Sequence, residues 1–289
     1  MKFGLRYCNT GRYVNTERAV ELVQAGEDAG FESAWTVDHV AIPENHASMY
    51  PYSDNGRMAG DLYNMPIPDP LIWMSYIAAV TTRIKLATGI LILPQRNPVV
   101  AAKQIATLDQ MSGGRVLLGI GVGWLEEEFS ALGVPFDDRG RRTDEYINVM
   151  RELWSAEKPS FDGEFMKFKN TYVQPQPVNG AVPIIVGGHS KLAARRAGRL
   201  GDGFFPAREA PLALIELARK TAEENGRDPD KLEVTVSLPN DLEEIRALGK
   251  AGVDRVLVPA MPVKGFKHQI RTPDDVTGWK DILEKYAEA

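Results

Sequence analysis

The chain has a single cysteine, Cys8, among 289 residues, so it can form no disulfide within itself. Its four histidines, His39, His46, His189 and His268, are scattered, and neither a Cys-x-x-Cys nor a His-Glu-x-x-His spacing occurs. No dedicated metal site is therefore expected. Basic charge is in deficit too: 34 lysines and arginines face 39 aspartates and glutamates, a formal net charge of −5. That balance gives no electrostatic footprint for nucleic acid or an anionic membrane. No stretch approaches the ~18 uninterrupted apolar residues of a membrane-crossing helix. The opening MKFGLRYC lacks the apolar run and small-residue cleavage site of an export signal. A soluble, cytoplasmic protein is the expectation.

What is present is the composition of an ordinary globular chain, 44% hydrophobic and 25% charged, with enough apolar residues for a large core. Strand-like and helix-like patterns alternate. Phe3 to Tyr7 is a first strand, followed by a helix opened by Thr16 and closed by Gly30. Ser33 to Val37 is a second strand, and a helix over Asp69 to Thr81 follows a long polar and aromatic loop, Ala41 to Pro68. Ile84 to Leu91 and Val116 to Ile120 are the third and fourth strands, separated by a helix that starts after Pro98 and runs to Met111. Between Gly123 and Val182 lies more chain than one crossover needs. Helices around Glu126 to Leu132 and Arg139 to Ser155 and a hairpin over Phe161 to Val178 fill it. Strands at Pro183 to Val186, Gly203 to Phe205, Leu232 to Leu238 and Arg255 to Val258 complete the set. Their helices run over Lys191 to Leu200, Ala210 to Asn225, Asp241 to Gly252 and Thr277 to Ala287. Eight strands alternating with helices predict a (β/α)8 TIM barrel, a single domain over 1–289, with an insertion after strand 4 and a long loop after strand 2. An open doubly wound sheet is the rival, but no Gly-x-Gly-x-x-Gly turn follows the first strand.

On such a barrel, chemistry sits at the carboxyl ends of the strands. The second strand runs through FESAWTVDH and stops on Asp38 and His39, a carboxylate and an imidazole. Adjacent strand residues point to opposite faces, so Asp38 does not automatically orient His39, and a structural role for that histidine stands beside the catalytic one. After the fifth strand, Gly187 and Gly188 let backbone approach a ligand, and the amides of His189, Ser190 and Lys191 open a helix whose amino end favours an anion. A plain tight turn is the alternative. Gly119, Gly121 and Gly123 leave one strand face free of side chains, either for a flat ring or for close packing. Gly89 within a β-branched strand suggests irregular backbone.

Trp35-Thr-Val-Asp38-His39, Thr88-Gly-Ile-Leu-Ile-Leu-Pro-Gln-Arg-Asn-Pro98, Gly119-Ile-Gly-Val-Gly-Trp124-Leu-Glu-Glu-Glu-Phe129 and Gly187-Gly-His-Ser occur in that order. With them the chain resembles the bacterial luciferase-like superfamily. Within it, the chain looks like the branch of oxidoreductases that use the 5-deazaflavin coenzyme F420. The resemblance implies a barrel mouth holding the deazaflavin. Asp38 would contact the ring, His39 would be the acid/base or charge-stabilising group near the reacting carbon, and Gly89 and Ile90 would form a non-prolyl cis peptide behind it. Val122, Gly123 and Glu127 map to a cofactor loop, and Gly187, Gly188, Ser190 and Lys191 to a phosphate loop. Sugar-phosphate dehydrogenase members carry a catalytic Glu where this chain has Trp124, which argues against glucose 6-phosphate as substrate. Trp124, Tyr50 and Tyr63 instead suggest an apolar or bulky organic molecule, with the loop from Met49 to Met65 closing over it. The resemblance implies a homodimer, for which the helix from Leu71 to Val80 offers an apolar surface. An FMN-dependent two-component monooxygenase and a non-catalytic flavin-binding protein are the alternatives to F420-dependent hydride transfer.

Overall fold

The computed structural model describes residues 1–289 except 54, 59–62 and 207–210. Short apolar runs punctuated by glycine form β1 (Lys2–Arg6), β2 (Ser33–Thr36), β3 (Lys85–Thr88), β4 (Leu91–Ile92) and β5 (Val116–Gly121). A small antiparallel hairpin, β6 (Phe161–Asp162) with β7 (Lys167–Phe168), stands apart. The parallel series resumes with β8 (Ile184–Gly187), β9 (Gly203–Phe205), β10 (Glu233–Ser237) and β11 (Arg255–Pro259).

β1 pairs with β2 on one side and β11 on the other, and β3 meets β5 at Leu86 and Val116, so the sheet has no edge. Counting β3 and β4 as one interrupted strand, eight parallel strands close into the expected TIM barrel. The predicted third strand is thus broken near its end. The interruption holds the Gly89–Ile90 peptide, which is cis, as the resemblance implied.

Helices surround the barrel: α1 (Thr16–Ala29), α2 (Pro70–Ala78), α3 (Pro98–Ser112), α4 (Glu126–Ala131), α5 (Arg139–Ser155), α6 (Lys191–Leu200), α7 (Leu212–Glu224), α8 (Glu244–Lys250) and α9 (Lys280–Tyr286). Several start where a short polar side chain satisfies first-turn amides. Asn15 accepts from Arg18, Asp69 from Leu71 and Ile72, and Asn97 from Val99 and Val100. The boundaries differ at three places. The hairpin is confined to Phe161–Phe168, α8 is shorter than the pattern predicts, and the closing helix starts as a 3-10 turn, Pro273–Trp279. The predicted start at Ala210 lies outside the described residues.

Strand alternation divides the core in two. Outward residues such as Leu5 pack under the helices, close enough that a methyl on Gly26 of α1 would meet Leu5 Cδ1 at 2.6 Å. Inward residues fill the barrel with Trp35, Ala87, Leu117, Ile185, Phe205 and Leu257. Gly4 makes room for the Trp35 indole, whose Nε1 donates to Ser33 Oγ at 2.8 Å.

At the amino end of the strands the barrel is plugged by charge. Arg255, 0% exposed, binds Glu32 through Nε (2.8 Å) and Nη2 (2.9 Å), and Glu233 and Thr235 through Nη1 (2.6 and 2.9 Å). Burial works against the Glu32 carboxyl's ionisation, yet Arg255, Ser33 and Lys85 hold it at about 2. The stable, charged floor leaves the opposite end of the barrel for chemistry.

Candidate active site

Asp38 and His39 follow β2 and diverge as the strand alternation requires. Asp38 is 5% exposed, and both its oxygens are engaged: Oδ2 accepts from the Ile92 amide at 2.9 Å and Oδ1 from Arg96 Nη2 at 3.1 Å. Arg96 reaches on to Asp69 Oδ2 at 3.1 Å, tying β2, β4 and the start of α2 together. Burial pushes the Asp38 carboxyl above its usual range, with Arg96 and the Ile92 amide pulling against it. These contacts make Asp38 a clamp between β2, β4 and the start of α2.

His39 turns the other way, into a pairing that the sequence reading missed. Its Nδ1 lies 3.0 Å from Oε2 of Glu128, a carboxylate with 0% exposure. Glu128 Oε1 accepts from the Val40 and Ala41 amides at 2.6 and 3.1 Å. Burial alone would raise this carboxyl; the hydrogen bond and charge of His39 and the Ala41 amide hold it below its ordinary value. An ionised carboxylate only accepts, so the His39 ring donates to it from Nδ1. Nε2 makes no hydrogen bond among the described residues. A signal for Glu128 was present. Leu125, Glu128, Phe129 and Leu132 fall on one helical stripe, so the third acidic residue of the Glu126-Glu127-Glu128 run had to be the buried one.

Glu127, expected at the cofactor loop, staples the loop after β2: its Oε1 accepts from the Ala47 and Ser48 amides at 2.6 and 3.1 Å. Burial opposes its charge slightly, but Ser48 and these amides bring the carboxyl to about 2. Ser48 Oγ in turn accepts from the Glu126 amide at 3.1 Å. Anchored this way, the loop wraps Trp124 in rings. His39, His46 and Tyr50 approach the indole edge-on at 6.0, 5.6 and 5.2 Å, Tyr52 stands against Tyr50 at 5.3 Å, and Tyr63 extends the group through His46 at 6.4 Å. Trp124, Tyr50 and Tyr63 thus share one aromatic cluster beside His39. Part of the expected lid, residues 54 and 59–62, lies outside the described residues.

The glycine-lined strand face is filled by protein. A methyl on Gly119 would meet the Thr88 carbonyl oxygen at 1.9 Å. On Gly121 and Gly187 it would meet Ile90 side-chain atoms at 2.6 and 2.5 Å, and on Gly123 the Phe129 ring at 2.7 Å. The flat-ring reading of Gly119, Gly121 and Gly123 is corrected: these positions are small because Ile90, Phe129 and the chain at Thr88 occupy the space. Ile90 itself packs on the inner barrel core with Trp35 and Phe205. Val122 and Gly123 lead from β5 to Trp124.

Across the mouth, Gly187 ends β8 and Gly188 takes φ +129°, a conformation side chains rarely permit, with Ala193 Cβ 3.0 Å from where its own would stand. Ser190 caps α6 by accepting from the Ala193 amide at 3.1 Å. Lys191 is exposed on the first turn, and no ion pair engages it among the described residues. The position reserved near Gly188 also lies 3.9 Å from the Tyr52 hydroxyl, so the loop after β2 reaches toward this turn. No group of three or more metal-ligating side chains forms among the described residues, and no described helix is long and apolar enough to cross a membrane.

A barrel closed over such a mouth defines a class, and the match to known proteins names it. Residues 4–258 match the family described as luciferase-like monooxygenase, and the chain belongs to that family. Uncharacterized proteins of Mycobacterium tuberculosis and Mycobacterium bovis are 35% identical over 187 residues, 65% of this chain and 65% of their own length. An F420-dependent glucose-6-phosphate dehydrogenase of Mycolicibacterium gilvum is 32% identical over 276 residues, 91% of this chain and 76% of the relative. An FMNH(2)-dependent dimethylsulfone monooxygenase of Pseudomonas putida is 35% identical over 206 residues, 67% of this chain and 56% of the relative. Among solved structures, an F420-dependent secondary alcohol dehydrogenase in complex with an F420-acetone adduct superposes with a TM-score of 0.68 at 25% identity, covering 97% of this chain and 81% of the other. The family's relatives thus include both F420-dependent and FMN-dependent enzymes.

Proposed function

We propose that this chain is an oxidoreductase that uses the deazaflavin coenzyme F420 to move a hydride to or from a carbon of a small organic substrate. The observation that carries the reading is His39 held by the buried Glu128 at the end of β2, with Nε2 left for a proton. The F420-dependent enzymes among its relatives support it.

The residues suit the group. The glycine turn 187–188 and the first-turn amides of α6 would receive its phosphate, with Lys191 adding charge, and the Gly89–Ile90 segment would back the ring. When bound, the coenzyme supplies a two-electron hydride equivalent at carbon. The protein's part is positional. Glu128 fixes the imidazole's tautomer and orientation, and His39 Nε2 takes or returns the substrate proton. The aromatic cluster at Trp124 shields that proton from water and offers an apolar wall.

The test is a parallel titration of the purified protein with F420 and FMN, followed by fluorescence. Tighter F420 binding, weakened by Lys191→Ala, is the expected result. Tighter FMN binding would overturn the deazaflavin reading and put an oxygen-activating monooxygenase first.

A further inference from the structure

Arg6 is the last residue of β1 and shares its inward face with Gly4, so its guanidinium stands in the layer of the barrel above Trp35. It lies over the Tyr7 ring at 4.6 Å and the Phe205 ring at 5.2 Å, and Nη1 donates to Ser237 Oγ at 3.0 Å. Phe205 and Ser237 end β9 and β10, so this corner belongs to the same mouth as His39. Nε is buried without a hydrogen-bond partner, and Arg6 forms no ion pair among the described residues. The contrast with Arg255 at the other end of the barrel is direct. That guanidinium is met by two carboxylates, whereas the one at the mouth has a neutral hydroxyl and two ring faces. Arg6 is half-buried, and a guanidinium so placed without a carboxylate partner is suited to take an anion, its fork matching a planar carboxylate.

We infer that Arg6 sets the substrate class: an organic carboxylate with an apolar or aromatic body, its head on Arg6 and its body toward the Trp124 cluster. This rests on the proposed reading of the mouth as the place where an organic substrate is turned over. It deepens the expectation of an apolar substrate by giving that molecule a charged end.

The experiment is a tryptophan-fluorescence titration of the purified protein with benzoate and with benzyl alcohol, probes of one size that differ in charge. Benzoate is expected to bind at least about tenfold more tightly, the return of a charge-assisted contact. Arg6→Gln is expected to erase that ratio while leaving benzyl alcohol within about twofold, the scatter expected of a contact not made. If Arg6→Gln fails to fold, Arg6→Lys decides: a point charge in place of the fork lowers the ratio, and an unchanged ratio overturns the assignment. Equal binding of the two probes by the unsubstituted protein, or a ratio that survives Arg6→Gln, overturns it as well. A preference for FMN in the cofactor titration would strike the deazaflavin reading and leave this ratio standing.

Discussion

Replacing Glu128 tests the pairing at the heart of the site without any knowledge of the substrate. Three donors converge on this carboxylate: the His39 ring at 3.0 Å and the Val40 and Ala41 amides at 2.6 and 3.1 Å. Glu128→Ala leaves all three without their acceptor. An unsatisfied buried donor costs about 1–3 kcal/mol, and water entering the vacated space recovers part of that, so a loss of about 3–5 kcal/mol is expected. Glu128→Gln is milder. Its carbonyl still accepts from both amides, but its NH2 faces His39 Nδ1, donor against donor, unless the ring moves its proton to Nε2. The expected cost is about 1–2 kcal/mol, accompanied by a change of tautomer. Urea denaturation measures the first quantity. Long-range proton–nitrogen NMR reads the second, in a chain with four histidines to assign. A Glu128→Ala variant destabilised by less than about 1 kcal/mol, or a His39 that keeps its Nδ1 proton in Glu128→Gln, would refute the argument.

Two further outcomes are expected. The Glu32 carboxyl is held at about 2, below its ordinary 4.5, so its stabilising contribution is complete above pH 4.5 and is lost as pH falls toward 2. That contribution is about 3 kcal/mol in full, of which about 2 kcal/mol is lost between pH 7 and pH 3, and this part should disappear from the stability difference between those two pH values in Glu32→Gln; an unaltered difference would count against the charged floor. Trp124→Ala removes the hub to which His39, His46 and Tyr50 pack, contacts of about 0.5–1.5 kcal/mol each. Chymotrypsin should then cut the 41–68 loop at least about tenfold faster at native conditions, and an unchanged rate would mean that the Glu127 staple alone holds the loop.

Much of the fold was legible because its signals are local. Strand and helix periods and the closing glycine at Gly30 can each be recognised within a few residues, whereas the first helix is capped by Asn15, one residue before the expected Thr16. Asp38 and His39 were legible for the same reason, since a strand that ends on two titratable residues marks a barrel's mouth. The glycines of β5 were not, because a missing side chain does not say what fills its place; Ile90 and the Thr88 carbonyl do, and they come from the neighbouring strand. The partner of His39 is 89 residues away, and the helical stripe through Glu128 foretold its burial but not its neighbour.

By itself, then, the sequence determined the alternation of elements, the barrel they build and the strand end that carries His39, because hydrogen-bond geometry and hydrophobic period act over one turn or one strand. Only the tertiary structure decided that Asp38 is a clamp, that Glu127 holds the loop, that Glu128 orients the imidazole, and that Arg6 and Arg255, on neighbouring strands of one barrel, meet opposite fates. Those roles are set by which charges closure brings within about 3 Å of one another, a distance across space that spacing along a chain does not specify.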